Sequence, residues 1–418
     1  MNPPLIGLAR LARVAFAGTD LGPWRAGLLD RLSRNENDAN ALLDLSTVVQ
    51  LMGQRDLGLS LQALALEIQQ LYHLPAAVAG TGIRLLAILT PGDLAENNIL
   101  EFLIEESDIS LDLLYVSPDT PFPATLPDHD LAMVAVCETD RNRPLLQHLE
   151  TLLKTWPRPV VCAPHRIARL SRDGACGLLP SVPGMVVPLT TRMDRRALEG
   201  IGRFDCTFPI IVRPVDSQKG HGLAKVDTPG AIIDYLAKRP EDAFYVARYV
   251  EYRGRDGQFR KYRIVLIDAR PYVCHMAIND SWVVHYMSAG MVESAPKRAE
   301  EARFFATFDE DFAPRHHDAL LSVAQRTELE YVGIDCGETP DGELLIFEVD
   351  SGMTVHAMDP VDLFPYKQPQ MRKVFRAFRQ MLIDASNRRS LAEDSEERVR
   401  GDPRGPGGPP HHALQANS

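Results

Sequence analysis

The sequence lacks the features that would place the chain in a membrane or in a disulfide-bonded frame. No apolar run approaches the length needed to span a bilayer. The 6 cysteines are scattered and form no C-x-x-C pair, which favours reduced thiols over disulfide bonds or a zinc site. Near the start, Arg10 and Arg13 interrupt the apolar stretch that a signal peptide would need. These absences predict a soluble, cytoplasmic protein.

Two nucleotide-binding signatures and a surplus of basic residues are also missing. There is no G-x-G-x-x-G, so no dinucleotide site is predicted, and no helix-opening G-K-[ST], which excludes a Walker-type phosphate loop. The formal net charge of -11 argues against general nucleic-acid binding, although it permits a local basic cleft.

The composition that is present is typical of a soluble globular protein with several domains. The 418 residues are too many for one core, and hydrophobic residues make up 45% of them. Changes of pattern along the chain predict four parts: a helical segment (1–80), an α/β domain with a linker (81–190), a larger domain of two subdomains (191–386) and a disordered, charged and then Pro/Gly-rich tail (387–418).

The first part is rich in leucine and alanine at helical spacing. It predicts three helices, over 24–33, 38–52 and 57–74. The last two resemble one tetratricopeptide unit in the spacing of their large and small residues, although no second copy follows. Because one such unit cannot bury its face alone, either a protein or peptide partner or the neighbouring domain should cover it. A plain helical cap is an equal alternative.

From residue 82 onward, short apolar strands alternate with helices, first over 83–163. This order predicts a small parallel sheet, with a helix from about residue 93 to 106 and another over 145–156. A Gly/Pro-punctuated linker is expected over 165–188. Further strands are predicted over 208–215, 223–226, 244–251, 262–268 and 270–278, the last two as partners of each other.

The most informative stretch is the late hairpin YVGIDCGETPDGELLIFEVD, with strands predicted over 331–336 and 343–350. Counting outward from Asp341-Gly342 places Asp335 opposite Glu348, and Asp350 follows on the same face. Like charges directly opposite each other are destabilising unless something neutralises them. Three carboxylates on one face therefore suit a hard divalent cation that also holds phosphate oxygens. The alternative is a solvated hairpin with an acidic outer face.

Basic and glycine-containing segments precede this hairpin. In the loop 217–222, the amides of Gly220 and Gly222 together with Lys219 can surround a polyphosphate, although many loops between strands look similar. Arg213 lies on the strand before this loop, and an inward arginine there would need an anionic partner.

A second pair of basic residues lies further along the chain. Lys261 and Arg263 alternate on one strand face, where a bound phosphoryl or carboxylate group would relieve their repulsion; a solvent-facing basic edge is the alternative.

In this order, the segments PIIVRPVDSQKGHGLAKV, YVARYVEY, KYRIVLID, WVVHY and GIDCGETPDGELLIFEVDSG resemble the ATP-grasp superfamily, especially RimK-like and D-alanine-ligase-like carboxylate–amine ligases. The resemblance covers about residues 82–385. It implies an α/β and α+β protein: an ATP-grasp domain, a preceding α/β (pre-grasp) domain and an all-helical N-terminal segment.

The resemblance also implies roles for individual residues. Phosphate contacts fall to Arg213, Lys219, Gly220 and Gly222, with Lys219 and Arg263 as catalytic residues, Arg263 near the γ-phosphate and the acyl intermediate. The adenine hinge falls at Arg248, Tyr249, Val250 and Glu251. The magnesium ligands correspond to Asp335, Glu348 and Asp350, and substrate contacts to Arg263, His285 and Ser351.

Several of these positions depart from the family pattern. The last magnesium ligand is usually Asn and is here Asp350, which adds negative charge. Lys261 stands where the family often has Asp, and His285 where RimK-like enzymes have Asn, so the acceptor should differ. Ser351-Gly352-Met353 replaces the family's S-P-G.

The implied function is an ATP- and magnesium-dependent ligase that joins an amine to a small-molecule or peptide carboxylate through an acylphosphate. The helical front end would hold a partner or a peptide substrate, and no nucleic-acid or membrane partner is expected. Two alternatives stay open: a phosphotransferase on the same fold, and a non-catalytic adaptor that presents its helical front end.

Overall fold

The computed structural model describes residues 3–80, 82–120, 122–123, 125–179, 182–201, 207–217 and 220–400. The helices of this part of the chain are α1 (Leu8–Phe16), α2 (Gly22–Arg34), α3 (Ala39–Leu51), α4 (Arg55–Ile68), α5 (Leu100–Leu103), α6 (Arg143–Leu153), α7 (Pro164–Ile167), α8 (Arg172–Leu178), α9 (Arg195–Glu199), α10 (Ala231–Leu236), α11 (Ala295–Thr307), α12 (Phe312–Arg315), α13 (His317–Thr327) and α14 (Lys367–Arg400). The strands are β1 (Leu71–Leu74), β2 (Arg84–Leu89), β3 (Ser110–Tyr115), β4 (Leu131–Val134), β5 (Val160–Val161), β6 (Met185–Val186), β7 (Thr190–Asp194), β8 (Ile210–Pro214), β9 (Ala224–Val226), β10 (Ala243–Arg248), β11 (Phe259–Ile267), β12 (Arg270–Asn279), β13 (Tyr331–Glu338) and β14 (Leu344–Asp350). The predicted mixed α/β class is confirmed.

Three sheets organise the described chain. The first has the order β1-β3-β2-β4-β5, the second β7-β10-β8-β9 and the third β12-β11-β13-β14-β6. One apolar core joins the first and third sheets, whereas the second sheet packs on α9 and α10 over a core of its own. The second sheet is therefore a separate layer with its own core.

The N-terminal helices pack as a bundle whose central pair is α3 and α4. The pair approaches closely at Gly58, where an added Cβ would lie 2.9 Å from the carbonyl oxygen of Ser46. The hydroxyl of Ser46 also donates to the carbonyl of Gly58 at 2.7 Å. The two predicted helices of this pair are present, but the expectation that the second reaches residue 74 is wrong. The chain leaves the helix after Ile68 and forms β1, because the edge of β3 offers the backbone an antiparallel partner.

The helix α1, which the sequence did not predict, is held by the buried carboxylate of Asp44 and the partly buried carboxylate of Glu101. The Asp44 carboxylate accepts hydrogen bonds from the backbone of Ile6 at 2.9 Å and of Gly7 at 3.1 Å. Glu101 accepts from Ala9 at 2.8 Å. These bonds satisfy amides at the helix N-terminus that have no partner within the helix. The helical segment is thereby tied to the first sheet and to α5.

The carboxyl of Asp44 should make stability depend on pH. Burial raises the pKa of Asp44 from 3.8 to about 6. Between these pH values the folded state keeps a proton that the unfolded state has lost, so the free energy of unfolding falls as the pH rises. A shift of roughly two units corresponds to about 3 kcal/mol. Asp44→Asn should lack this part of the pH dependence in urea unfolding followed by circular dichroism from pH 4 to 7.

The control for this experiment is Asp119→Asn, because Asp119 is exposed. Its unfolding should follow the wild-type pH dependence. A wild-type slope in the Asp44 variant would contradict the role of that carboxyl.

The first sheet is parallel over β3, β2, β4 and β5, as predicted, with the antiparallel β1 added at its edge. Two expectations nearby are wrong. The helix expected over about 93–106 is only the short α5, because the side chain of Asn97 bonds both backbone groups of Thr90 at 2.8 Å and fixes a loop instead. The linker expected over 165–188 carries most of α7, all of α8 and the strand β6.

The second and third sheets contain the predicted strands, together with β7, which the sequence did not predict. The helix α11, also not predicted, packs on β12. The disordered tail expected from residue 387 is contradicted up to Arg400, where α14 ends, and residues 401–418 lie outside the described part of the chain. No helix among the described residues is both long and apolar enough to cross a bilayer.

Candidate functional site

In the late hairpin Asp335 pairs with Glu348, as predicted. The strands around this pair are not regular, however, because the register shifts between the turn and the pair. Its loop holds three residues, 340–342, because the amide of Thr339 donates to the carbonyl of Glu343 at 2.9 Å. That loop alone would shift the register by one residue. A bulge restores it: Cys336 pairs with Ile346 and Asp335 with Glu348, which leaves Phe347 as the extra residue.

Asp335 and Glu348 belong to a row of directly paired residues that crosses the third sheet. On the other side of Asp335 the row continues to Arg263 of β11 and then to His275 of β12. Side chains of directly opposite residues lie on the same face of a sheet. The row therefore presents imidazole, guanidinium and two carboxylates side by side, and we name His275, Arg263, Asp335 and Glu348 the charged row.

Asp335 is neutralised within the protein. Lys261 Nζ donates to Asp335 Oδ2 at 2.8 Å, and Arg263 donates to both oxygens at 2.7 and 2.9 Å. Burial alone would raise the pKa of Asp335, but the Arg263 and Lys261 charges hold it well below its usual range. The predicted common face of Lys261 and Arg263 is confirmed. The anion that relieves their repulsion is a side chain of β13.

Glu348 and Asp350 are less completely compensated. Arg172 Nη2 donates to Glu348 Oε1 at 2.5 Å, and the pKa of Glu348 lies below its usual value: burial would raise it, but the Arg172 and Arg213 charges outweigh that. Burial and the neighbouring Glu348 raise the pKa of Asp350 to about 6. The amide of Gly352 donates to Asp350 Oδ1 at 2.9 Å. Two carboxylates thus repel each other at the end of β14.

The predicted magnesium ligands fit a cation best at this carboxylate pair. Among the described residues, no group of three or more His, Cys, Asp or Glu side chains is arranged to hold a metal ion. Both oxygens of Asp335 face Arg263 and Lys261, whereas Glu348 and Asp350 have charge left to neutralise. Magnesium is commonly held by one or two carboxylates together with substrate phosphates. The participation of Asp335 as a third ligand stays a prediction.

A second cationic group faces this pair from the second sheet. Arg213 on β8 bonds the side chain of Ser217 at 3.1 Å and also the carbonyl of that residue. Burial and the charge of Arg172 lower the pKa of Arg213 to about 10, while Glu348 acts in the opposite direction. Arg213 thus lies close enough to α8 and to the third sheet for the charges of Arg172 and Glu348 to act on it, and its own charge is incompletely compensated.

The loop after Arg213 has the close approach expected of a glycine loop. Gly222 has a φ of +68°, and an added Cβ would lie 2.5 Å from Pro214 Cδ, so only glycine fits. Gly220, with a φ of +74°, also adopts a left-handed conformation. The loop begins at Asp216, whose carboxylate accepts a hydrogen bond from the amide of Asp140 at 3.1 Å. Lys219 lies outside the described residues.

The predicted adenine hinge borders a cleft. Arg248 ends β10, and together with Val250, Glu343 and residues from 182 to 189 it lines a cleft of about 640 Å³. The amide of Tyr249 donates to the carbonyl of Pro209 at 3.0 Å, so this group is used within the protein. Most of the residues that line this cleft are apolar.

Three further residues predicted as hinge or substrate contacts lie in the described part of the chain. The Glu251 carboxylate accepts a hydrogen bond from Tyr249 at 3.1 Å. His285 precedes a short 3-10 helix and is partly buried. Ser351 is buried, and its carbonyl accepts from Asn98 at 2.8 Å, which ties the end of β14 to the first sheet. The substrate roles predicted for His285 and Ser351 stay predictions.

Two members of the site were missed from the sequence. Arg172 lies in the segment expected to be a linker, where nothing marks it as a partner of Glu348. A regular hairpin counted from the paired residues Ile267 and Arg270 would place Cys274 opposite Arg263. A bulge on β12 moves His275 into that position instead. The signal that could have found His275 is its polarity within an otherwise apolar strand.

Comparisons with known proteins returned matches among solved structures. No protein-family model matches the chain, and no curated protein does. A RimK-domain ATP-grasp protein from Sphaerobacter thermophilus DSM 20745 is 16% identical, with a TM-score of 0.42, over 72% of this chain and 99% of that chain. VanG D-Ala:D-Ser ligase from Enterococcus faecalis is 15% identical, with a TM-score of 0.44, over 73% and 100%. The D-alanine–D-alanine ligase from Coxiella burnetii is 15% identical, with a TM-score of 0.48, over 77% and 100%.

By their names, these solved structures are the kinds of protein that the sequence motifs of this chain resemble.

Proposed function

We propose that the protein is a magnesium- and ATP-dependent ligase that joins a carboxylate to an amine through an acylphosphate. The proposal is supported by the order of sequence motifs and by the charges of the site. Its substrates would be an amino acid or a peptide and a small amine. The N-terminal helices would border the acceptor side or hold a partner.

The observation that carries the proposal is one positive and one negative charge, on Arg213 and Asp350, that the surrounding protein does not fully neutralise. The charge of Arg172 helps to lower the pKa of Arg213, and the charge of Glu348 helps to raise the pKa of Asp350. Arg172 and Glu348 pair with each other, which leaves the partly buried Arg213 in need of an anion and the partly buried Asp350 in need of a cation. A polyphosphate that carries a divalent metal supplies both at once. The cleft beside Val250 would take the flat ring of the nucleotide.

In this function the residues of the chain chiefly neutralise and position charge. Arg213, Arg172 and the loop of Gly220 and Gly222 would hold the phosphate oxygens, with Lys219 as the predicted further contact. Glu348 and Asp350 would hold magnesium, which neutralises phosphate charge when bound. Arg263 would face the transferred group, fixed in place by Asp335. Electrostatic positioning of this kind accounts for most of the catalysis of phosphoryl transfer.

The chemistry balances in two steps. An oxygen of the substrate carboxylate forms a bond to the γ-phosphorus while the bond between that phosphorus and the bridging oxygen of ADP breaks. The nitrogen of the amine then forms a bond to the acyl carbon, inorganic phosphate leaves, and the nitrogen loses a proton to solvent. Hydroxylamine traps the first product as a hydroxamate.

The decisive experiment measures ADP release against a panel of amino acids and peptides, with mass spectrometry of the products. A mass gain that matches condensation, together with hydroxamate formation, supports the ligase. A stable phosphorylated product would instead favour the phosphotransferase alternative. Absence of magnesium-dependent ATP binding would favour the adaptor and reject the proposal.

Replacing Arg213 should separate activity from stability. Arg213→Met should raise the KM for ATP by about 10- to 100-fold, because a charge-assisted contact to phosphate is lost. Its thermal midpoint should stay at or above the wild-type value, since burial already disfavours this charge in the folded state. Arg213→Lys should lose less affinity.

Arg196→Met is the matched control, because Arg196 is exposed on α9. It should leave the KM for ATP unchanged. An unchanged KM in the Arg213 variant as well would remove the phosphate role of Arg213.

A further inference from the structure

The charged row contains a member that the proposed charge neutralisation does not use. His275 of β12 is paired directly with Arg263, which in turn is paired with Asp335. The imidazole therefore lies on the same face as the groups proposed to meet the transferred phosphoryl group, at the opposite end of the row from Glu348.

The ring of His275 is fixed by its surroundings. It stacks on the ring of Tyr286, with centroids 4.6 Å apart and planes inclined by 27°. The hydroxyl of Tyr286 donates to Asp359 Oδ1 at 2.9 Å, and Lys367 lies 4.2 Å from the centroid of the Tyr286 ring. Lys367 is itself buried and lies 3.3 Å from Glu301 and from Asp359. A ring held in this way presents its nitrogens in a defined direction.

One nitrogen of this ring has no use within the described protein. His275 Nε2 is buried, and no hydrogen-bond partner is found for it among the described residues. A buried polar atom without a partner costs free energy, and such atoms in native proteins call for an explanation. A ligand that brings the missing partner is the explanation that the position in the charged row favours.

The protonation state of the His275 ring indicates which kind of ligand group can bind its free nitrogen. Burial and the neighbouring Arg263 hold the pKa of His275 well below its usual range, so the ring is neutral. A neutral imidazole keeps one nitrogen with a lone pair that accepts a hydrogen bond. Arg263, next in the row, already offers charged donors to phosphate or carboxylate oxygens. A group that carries N–H donors suits the imidazole better.

We propose that His275 binds the amine substrate, with Nε2 accepting a hydrogen bond from the attacking nitrogen. This inference rests on the proposed ligase function and adds the position of its second substrate. The order of the charged row then follows the order of the reaction: metal at Glu348, the transferred group at Arg263, and the amine at His275. The ring acts as a contact and keeps its protonation state.

The test compares two nucleophiles in wild-type protein, His275→Ala and His275→Gln. One is the amine identified by the panel of amino acids and peptides, and the other is hydroxylamine at high concentration, which needs no binding site. For His275→Ala, kcat/KM for the amine should fall about 10- to 100-fold, mainly through KM, whereas hydroxamate formation should change by less than about threefold. The KM for ATP should stay unchanged.

The His275→Gln variant tests the hydrogen-bond role of His275 without leaving a cavity where the imidazole was. Its amide oxygen can accept a hydrogen bond, so it should recover part of the affinity for the amine. Should the alanine variant fail to fold, His275→Leu takes its place, because leucine fills the space without an acceptor; a wild-type KM for the amine in His275→Ala or His275→Leu would overturn the inference. Equal losses with both nucleophiles would overturn it too, because they indicate a structural role.

The control is His317→Ala, an exposed histidine at the start of α13. It should behave as wild type with both nucleophiles. The proposed function fails separately: wild-type protein would then form neither ADP nor hydroxamate with any carboxylate of the panel.

Discussion

Glu348→Gln should reduce ADP formation by about 1000-fold or more, because it removes one of the two carboxylates proposed to hold magnesium, and metal neutralisation of a transferred phosphoryl group is worth several kcal/mol. Glutamine has nearly the same shape and keeps an oxygen near Arg172. The charge that would hold the cation is lost, however, and with it the repulsion that raises the pKa of Asp350.

The fold of the Glu348 variant should survive. Its bond to Arg172 joins side chains that are 32% and 21% exposed, and a pair of that exposure is worth about 1 kcal/mol or less. Circular dichroism and the thermal midpoint should therefore match those of the wild type. Isothermal titration with ATP and magnesium should show that magnesium no longer strengthens binding. Turnover at the wild-type rate would remove the metal role of Glu348.

Asp341→Asn is the matched control for the same hairpin, because it removes a carboxylate from the exposed turn. It should leave turnover, magnesium dependence and stability unchanged. A comparable loss of activity in this variant would indicate that the overall charge of the hairpin matters, and not the position of Glu348.

The pairing of Asp335 with Glu348 shows what sequence reasoning can reach. Alternation and the turn residues predicted that pairing, and the structure confirms it. The turn covers residues 340–342, one more than the pair Asp341-Gly342 from which the register was counted, and the bulge at Phe347 compensates. Two local irregularities cancelled, which no periodicity could have revealed. The strands predicted for the second and third sheets are present because each carries its own local apolar pattern.

Other parts of the site depend on contacts that no local pattern encodes. Arg172 reaches Glu348 across 176 positions of the chain from a segment that reads as a linker. The bulge on β12 brings His275 rather than Cys274 opposite Arg263. Likewise, residues 71–74 form the strand β1 instead of the predicted helix, because they pair with the edge of the distant strand β3. In each case tertiary partners outweighed the local preference.

Asp335→Asn should be the most destabilising of these substitutions. The carboxylate is 4% exposed, and it neutralises Lys261 and Arg263, which are themselves mostly buried. Removing one member of a buried ion cluster strands the others, at a cost of about 3 to 5 kcal/mol. Urea unfolding followed by circular dichroism at pH 7 should show this loss, and turnover should fall because Arg263 is no longer held in place.

The carboxylate of Asp335 should also make the free energy of unfolding depend on pH in strong acid. The folded-state pKa of Asp335 is far below its unfolded value, so its stabilisation is present above the unfolded pKa and is lost only as the pH falls toward the folded one. Wild-type protein should therefore keep a margin over Asp335→Asn at neutral pH, and the difference should narrow in strong acid. A constant difference would contradict the assignment.

A second substitution separates stranded charge from lost packing. Lys261→Met combined with Asp335→Asn leaves a single cation where the single variant leaves two, and the unbranched, apolar methionine side chain still covers the sheet. If repulsion and unpaired charge cause the loss, the double variant should be more stable than Asp335→Asn by about 1 to 2 kcal/mol. If the double variant is instead less stable, Lys261 contributes mainly by packing, and the neutralisation assigned to Asp335 is wrong.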